Sequence, residues 1–330
     1  MDTENNQATE APSTLSLMVK QIRCEAKGIN SYELVDPEGA ELPEFTAGAH
    51  IDIHIRPGVI RQYSLCNSPR ERHRYVIAVL KSGTGLGGSK ALHESVHVQD
   101  VVKVSVPRNH FPLDGNAKKA ILLAGGIGIT PLKSMLHHIE DLGMEYELHY
   151  CARDATCAAF SEMLSIREKV EHHFDNGEPS QGLDLTELLQ NPDEGTHVYF
   201  CGPTGFMEAC VQATKNWPTG SVHFEYFKAP VPSKQSSTES NTRNSGYNVK
   251  IASTGQMVAV DADQTLVEAL VGVGIEIETS CVSGLCGTCK VRYLEGEVDH
   301  QDYILNSDEQ CEYLTACVSK AKSELLVLDL

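Results

Sequence analysis

The sequence predicts a multidomain protein: an antiparallel β-barrel, an α/β domain built around a parallel sheet, and a small α+β domain. Three observations carry this reading. Short stretches of the first third alternate apolar and polar residues. From Lys118 onward, strand-like and helix-like segments alternate. A polar stretch with two prolines, APVPSKQSSTESNTRNSG, then sets residues 247–330 apart.

The 330 residues exceed what one hydrophobic core ordinarily organises. In AHIDIHIRPG, Ile51, Ile53 and Ile55 alternate with Asp52, His54 and Arg56, the period of a half-buried strand. RYVIAVLK and VVKVSVP are β-branched and bounded by turn residues, so they read as further strands. With one modest helix around KALHESV, residues 15–116 read as the barrel domain. The polar residues 1–14 before it read as a disordered extension.

The α/β domain covers residues 117–228. KAILLAGG is a buried-type strand, TPLKSMLHHIEDLG a helix, YELHYCAR a strand and AFSEMLSIREKV a helix. VEHHFD, THVYFCG and SVHFEYF supply three more strands, with helices over LTELLQ and GFMEACVQATKNW. Such alternation gives a parallel sheet with helices on both faces and ligands beyond the C-terminal strand ends. Residues 229–246 cannot bury apolar surface and read as a flexible tether. The last domain opens with a strand pair, YNVKIAST and MVAVDAD, followed by a helix over TLVEALVGVG.

Composition narrows the function. Apolar residues are 41% and charged residues 22%, as in soluble globular chains. The formal charge of −18 argues against nucleic acid and anionic membranes, which need a basic face. Residues 246–330 carry fourteen Asp and Glu against five Lys and Arg, so half the excess sits there. The start of the chain does not read as a secretory signal, and the apolar run Ala120 to Leu132 is too short to span a bilayer. A cytoplasmic location is expected. Eleven cysteines, odd in number and mostly scattered, suggest metal or redox chemistry rather than disulfides.

Four of those cysteines form a pattern. CVSGLCGTCK places Cys281, Cys286 and Cys289 in a C-x4-C-x2-C spacing, and Cys317 follows in LTACVSKA. This is the plant-type spacing for four thiolates around a 2Fe–2S cluster. Gly284 and Gly287 let backbone amides approach the cluster. Structural zinc prefers two short knuckles, and only one C-x2-C is present here. Unligated buried thiols are the third reading. Cys311 breaks the register. The domain resembles plant-type ferredoxins, which implies a β-grasp fold and a one-electron carrier.

Two further motifs lie upstream. RQYSLCN resembles the Arg-x-Tyr-Ser signature of the ferredoxin-NADP reductase superfamily; alone, it would read as a strand end. GLGGSKALHESV sets Gly87, Gly88 and Ser89 before a helix, which suits a phosphate but is also an ordinary N-cap. In the α/β domain, AGGIGITPLKSM lacks the full G-x-G-x-x-G fingerprint. Its glycines permit close approach of a nucleotide, or simply tight strand–helix packing. YFCGPTGFM ends another strand, where Cys201 alone would read as a buried structural thiol. After the second strand, Arg153 and Asp154 point to opposite nucleotides. His137–His138 and His172–His173 read as exposed or half-exposed, without metal-ligand spacing.

Taken in order, these segments resemble the phthalate dioxygenase reductase family, which contains the vanillate O-demethylase reductases. RQYSLCNSPRERHRYVIAVL and VSKAKSELLVLDL carry the resemblance most closely, and it covers nearly all of the chain after residue 14. It implies FMN, NADH and a 2Fe–2S cluster as cofactors, and a Rieske-type terminal oxygenase as partner. On it, Arg61 meets the flavin phosphate, Tyr63 and Ser64 lie against the flavin, and Gln62, Ala78, Val79, Leu80, Lys81, Gly87, Gly88 and Ser89 complete that site. Gly126, Gly128, Thr130, Cys201, Gly202 and Pro203 would face the nicotinamide nucleotide. Ser64 and Cys201 are the candidate catalytic residues. Phe224, Glu225 or Phe227 would reach the flavin, although each reads first as part of a core strand. Leu86 stands where many relatives have Arg, which removes a phosphate contact. Carnitine-type monooxygenase reductases share the domain order, and a zinc-stabilised adaptor is the reading from another class.

An acidic cluster domain meeting a basic partner implies electrostatic steering. Raising the ionic strength is therefore expected to slow electron delivery to the partner in stopped-flow mixing; a flat salt response would contradict it.

Overall fold

The structure is a computed structural model that describes residues 14–56, 59–83, 87–228, 246–279 and 281–330. Residues 1–13 of the expected extension, the tether up to residue 245 and the Leu86 departure lie outside the described residues, while Thr14 already belongs to the first strand. The chain divides into two compact units.

The first unit is built on six antiparallel strands: β1 (Thr14–Ala26), β2 (Ile29–Val35), β3 (His50–Arg56), β4 (Val59–Ser64), β5 (Tyr75–Leu80) and β6 (Val101–Ser105). Their order is β4-β3-β6-β1-β2-β5. The two ends meet where Leu65 bridges Ile77 and the Cys66 N–H donates to the Val76 carbonyl at 2.8 Å. That closure makes a barrel and leaves no open edge there. Leu17, Tyr32, Leu34, Ile51, Ile53, Tyr75, Ile77 and Val104 fill it, and Leu92 joins them from helix α1 (Gly88–Ser95).

One detail departs from the simple alternation. Asp52, expected on a solvent face, is 5% exposed. It is paired there with Arg108, whose Nη2 lies 2.7 Å from its Oδ2, and its N–H donates to Ser105 Oγ at 2.9 Å. A buried carboxylate needs such partners. Helix α2 (Ile129–Leu142) belongs mostly to this unit too. Its buried Lys133 donates from Nζ to the Cys66 carbonyl at 2.7 Å, and Asp141 pairs with Arg70.

The second unit contains two sheets. Strands β7 (Lys119–Gly125), β8 (Glu145–Ala152), β9 (Val170–Phe174), β10 (Thr196–Cys201) and β11 (Val222–Glu225) run parallel in the order β11-β10-β7-β8-β9. The expected long helix over AFSEMLSIREKV shrinks to α3 (Ser161–Leu164). Leu164 is buried within it, but no residue from 165 to 170 is, Ile166 is 80% exposed, and an amphipathic face there has nothing to cover. Helices α4 (Leu185–Leu189) and α5 (Thr204–Ala213) contribute Leu189, Met207 and Cys210 to a core with Ile121, Leu123, Val198 and Phe200. The single tryptophan, Trp217, belongs to that core and donates from Nε1 to the Leu189 carbonyl at 2.8 Å. Contrary to the core-strand reading of HFEYF, β11 is an edge strand, and Phe224 and Phe227 are 38% and 40% exposed.

The other sheet contains β12 (Tyr247–Ile251), β13 (Met257–Val260), β14 (Lys290–Glu295), β16 (Tyr313–Thr315) and β18 (Leu325–Leu328) in the order β13-β12-β18-β14-β16. Only the β12–β18 pair is parallel. A two-stranded ribbon of β15 (Val298–Asp299) and β17 (Lys320–Ala321) and the short helix α7 (Ser307–Gln310) complete it. Helix α6 (Leu266–Gly272) starts with a reciprocal cap: Glu268 N–H donates to Thr265 Oγ1, and Thr265 N–H to Glu268 Oε2. Its Leu266, Ala269 and Leu270 pack on Val249, Ile251, Val260, Leu326 and Leu328. A helix across a mixed sheet is the β-grasp arrangement the resemblance implied.

In the parallel sheet the chain leaves β7 toward β8 and β9, then returns to β10 and β11 on the other side. The loops after β7 and β10 therefore part at the switch point, where open α/β sheets bind ligands. They touch as backbone: a Cβ on Gly128 would sit 2.0 Å from the Cys201 oxygen. Gly128→Ala is expected to destabilise this lobe by about 1–3 kcal/mol, read as a lower urea midpoint of Trp217 fluorescence. Gly205→Ala in α5, with nothing within 4 Å of its Cβ position and no positive φ, should cost less. Equal midpoints for wild type and Gly128→Ala would refute the contact.

Candidate functional site

The cysteine loop is shaped by three left-handed residues, Val282, Gly284 and Gly287, at φ 51°, 70° and 69°. Gly284 has no room for a side chain either, since a Cβ would lie 2.8 Å from Val318 Cγ2 and 3.0 Å from Asp302 Cα. The curled backbone aims its amides at sulfur. Ser283 and Leu285 donate to Cys281 Sγ at 3.4 and 3.3 Å, and the Cys281 N–H points at Cys286 Sγ at 3.4 Å. Thr288 Oγ1 lies 3.3 Å from Cys286 Sγ.

Cys317 reaches the loop from the turn after β16. The four thiols fall into two pairs. Cys281 donates to Cys286 and lowers its pKa to about 5, while Cys281 itself is held high. Cys317 does the same for Cys289, lowering it and being raised in turn. Two irons sharing four thiolates need two sulfurs each, and amides directed at the sulfurs offset the negative charge, so the donor set fits a binuclear iron–sulfur cluster. Cys286, Cys289 and Cys317 are buried, whereas Val282 at the loop's outer edge is 54% exposed. Cys311 is exposed at the end of α7, away from this set's register.

In the barrel, Arg61 and Tyr63 occupy alternate positions of β4, opposite Ile53 and Ile51. They share one face of the strand, and Tyr63 packs against the barrel core. The Arg61 side chain lies over the start of α1: a Cβ on Gly88 would meet its Cγ at 2.7 Å and Nε at 2.9 Å. No side chain among the described residues caps that helix, and its first turn lies beside the guanidinium, whose Nη1 donates to the Ile60 carbonyl at 2.6 Å. Such a pair is a cradle for a phosphate. Ser89 Oγ accepts from the Ser82 N–H at 3.1 Å, tying the helix start to the end of β5. The cradle fits a flavin phosphate. Burial holds the Tyr63 phenol protonated. Ser64 ends β4, 5% exposed, opposite a His50 ring whose pKa burial, Arg108 and His110 lower to about 3.

Not every expected flavin residue gathers there. Gln62 alternates onto the other face of β4, opposite Asp52, and its Nε2 is buried without a hydrogen-bond partner. Val79 and Ala78 are buried in the barrel wall. Leu80 is 43% exposed, and Lys81 pairs with Glu94 at 3.0 Å.

In the parallel-sheet lobe, Gly128 and Gly202 serve loop-to-loop packing. A Cβ on Gly202 would meet Phe206 at 2.6 Å and Gly125 Cα at 3.0 Å. Gly126, at φ 54°, is the open position of that loop. Thr130 is buried in the first turn of α2. Pro203 precedes α5, which starts without a side-chain cap. Cys201 is fully buried at the end of β10; burial, then Glu225, keeps its thiol protonated. Phe224 stacks on Phe200 at 5.3 Å between ring centres.

Two stretches of the chain match family models. Residues 249–322 match the 2Fe-2S iron-sulfur cluster binding domain, and residues 122–212 the oxidoreductase NAD-binding domain. The chain is 51% identical to the tert-butanol monooxygenase / tert-amyl alcohol desaturase reductase subunit of Aquincola tertiaricarbonis, across 96% of both chains. It is 41% identical to the phthalate dioxygenase reductase of Burkholderia cepacia, over 92% of this chain and 94% of that one. A crystal structure of phthalate dioxygenase reductase superposes with a TM-score of 0.71 at 40% identity, covering 96% of this chain and 98% of that one. An intact type IV self-sufficient cytochrome P450 monooxygenase gives a TM-score of 0.86 at 35% identity; the match covers 96% of this chain but 41% of that longer one. The cysteine loop, the phosphate cradle and this end-to-end identity place the chain in the phthalate dioxygenase reductase family, with the vanillate O-demethylase reductases, as an NAD-linked oxidoreductase with a C-terminal 2Fe–2S domain.

Proposed function

We propose that this chain is the cytoplasmic reductase of a Rieske-type oxygenase, with NADH as donor, FMN as the flavin, and Cys281, Cys286, Cys289 and Cys317 as the cluster ligands. The observation that carries the electron-transfer reading is the pairing of four thiols under backbone amides. When bound, the flavin accepts a hydride and releases its electrons singly, and the cluster carries one at a time.

The chain's own residues position these groups. Arg61 and the open amides of α1 grip the phosphate, while Tyr63 packs beside the ring and Ser64 offers a hydroxyl to it. Among nucleotide contacts, Gly126 leaves space for the backbone to be approached closely, and the uncapped start of α5 faces phosphate. Cys201 lies at the switch-point end of β10 as a protonated thiol, suited to packing beside a nicotinamide without reacting with it. Asp154, just beyond the C-terminal end of β8 and next to Arg153, is the acid that would favour NADH over NADPH. The exposed rim at Val282 is the edge of the cluster loop a partner can reach. No disulfide joins the seven cysteines outside the cluster set, which supports a reducing compartment.

The identity to oxygenase reductase subunits supports an oxygenase partner. A second reading, a haem monooxygenase partner, is favoured by the structural likeness to part of a self-sufficient P450. Stopped-flow reduction of a purified Rieske oxygenase against a P450 separates the two. For the flavin site, Arg61→Ala is expected to weaken FMN binding about 10–100-fold, since it removes a charge-assisted contact of about 1.5–3 kcal/mol. Equilibrium dialysis with flavin fluorescence checks this; unchanged FMN affinity, or preferential retention of FAD, would overturn the assignment.

A further inference from the structure

The outer edge of the parallel sheet carries a side-chain group with no part in electron transfer. On β9, Glu171 and His173 are two residues apart and so project from one face. Across the ladder, His149 of β8 is the register partner of Glu171. The three converge. His149 Nδ1 lies 3.0 Å from His173 Nε2, and each of these nitrogens lies 3.8 Å from Glu171 Oε2.

Those separations are those of a metal ligand set. Zinc–nitrogen bonds of 2.0–2.1 Å at tetrahedral angles put ligand atoms about 3.3 Å apart. The observed triangle brackets that value, so shifts of a few tenths of an ångström complete it. Behind the site, His149 Nε2 is buried and faces Glu147 Oε2 at 3.9 Å. Glu147 in turn pairs with Lys119 at 3.2 Å. A carboxylate behind an imidazole is the usual outer partner of a metal-bound histidine, because it fixes the ring and leaves the other nitrogen as donor. Entry is open from one side: the Glu171 side chain is 67% exposed while that of His149 is 7% exposed.

We propose that His149, Glu171 and His173 form a binding site for a divalent transition cation of the zinc type, with water as fourth ligand, that clips edge strand β9 to β8. Two imidazoles and a carboxylate suit zinc and disfavour magnesium and calcium, which prefer all-oxygen shells.

The test uses the holoprotein with its iron–sulfur cluster loaded, so that the cluster cysteines are occupied. Titrating ZnCl2 against a fluorescent zinc indicator should reveal one site per chain that Glu171→Gln and His173→Gln each weaken at least tenfold. Both side chains are at least partly exposed, so folding should survive either change. His223→Gln serves as control: His223 pairs with His197 at 3.0 Å on the other side of the sheet order, and should leave the affinity unchanged. Zinc should also raise the urea midpoint of Trp217 fluorescence in wild type and not in Glu171→Gln. Equal affinities in wild type and both site variants, or a loss seen only with His223→Gln, would overturn the proposal.

Discussion

Gathering four thiolates in a domain that is already acidic is an electrostatic problem, and the fold of the last third is organised around solving it. Residues 246–330 carry fourteen acidic and five basic side chains, and Lys290 beside the loop is engaged by Glu309 at 2.7 Å. The backbone provides the compensation. Three left-handed residues curl the chain so that amides meet sulfur, and Gly284 is pressed between Val318 and Asp302 to hold that curl. The core beneath, from α6 and the mixed sheet, includes Cys289 and Cys317 themselves. Ligand geometry and domain packing are thus one structure, and cluster loss should loosen both.

The same economy appears in the other two sites. In the barrel, closure between Leu65 and Ile77 fixes β4 next to β5, and α1 returns over β4 so that its open end meets Arg61. The cradle proposed there for a phosphate needs one arginine and a helix start without a side-chain cap. In the parallel sheet, the switch point between β7 and β10 is created by strand order alone. Glycines at 128 and 202 let the two loops lie backbone to backbone there, and the open position left for a ligand is Gly126.

Much of this was legible because it is local. C-x4-C-x2-C is a nine-residue pattern, Ile51 and Ile53 alternate within one strand, and the βα rhythm from Lys118 needs no knowledge of distant partners. What escaped depends on pairing across the chain. Asp52 is buried because Arg108 lies 56 residues away in sequence. Helix α2 groups with the barrel through Lys133 and Asp141, contacts no periodicity announces. The helix over AFSEMLSIREKV ends early because its apolar spacing meets no surface to cover. His172–His173 offered no ligand spacing in sequence, since the third ligand, His149, comes from the neighbouring strand and only register reveals it. Gln62 sits between Arg61 and Tyr63 in sequence yet faces away from them, which alternation could have shown.

The three sites together imply that one chain carries electrons from a nicotinamide through a flavin to the thiol-held cluster. Anaerobic titration of the holoprotein with NADH, followed by visible absorbance, examines that path in one experiment. The flavin and iron–sulfur bands should both bleach as NADH is added. Bleaching of the flavin band alone, with the iron–sulfur band unchanged, would contradict it.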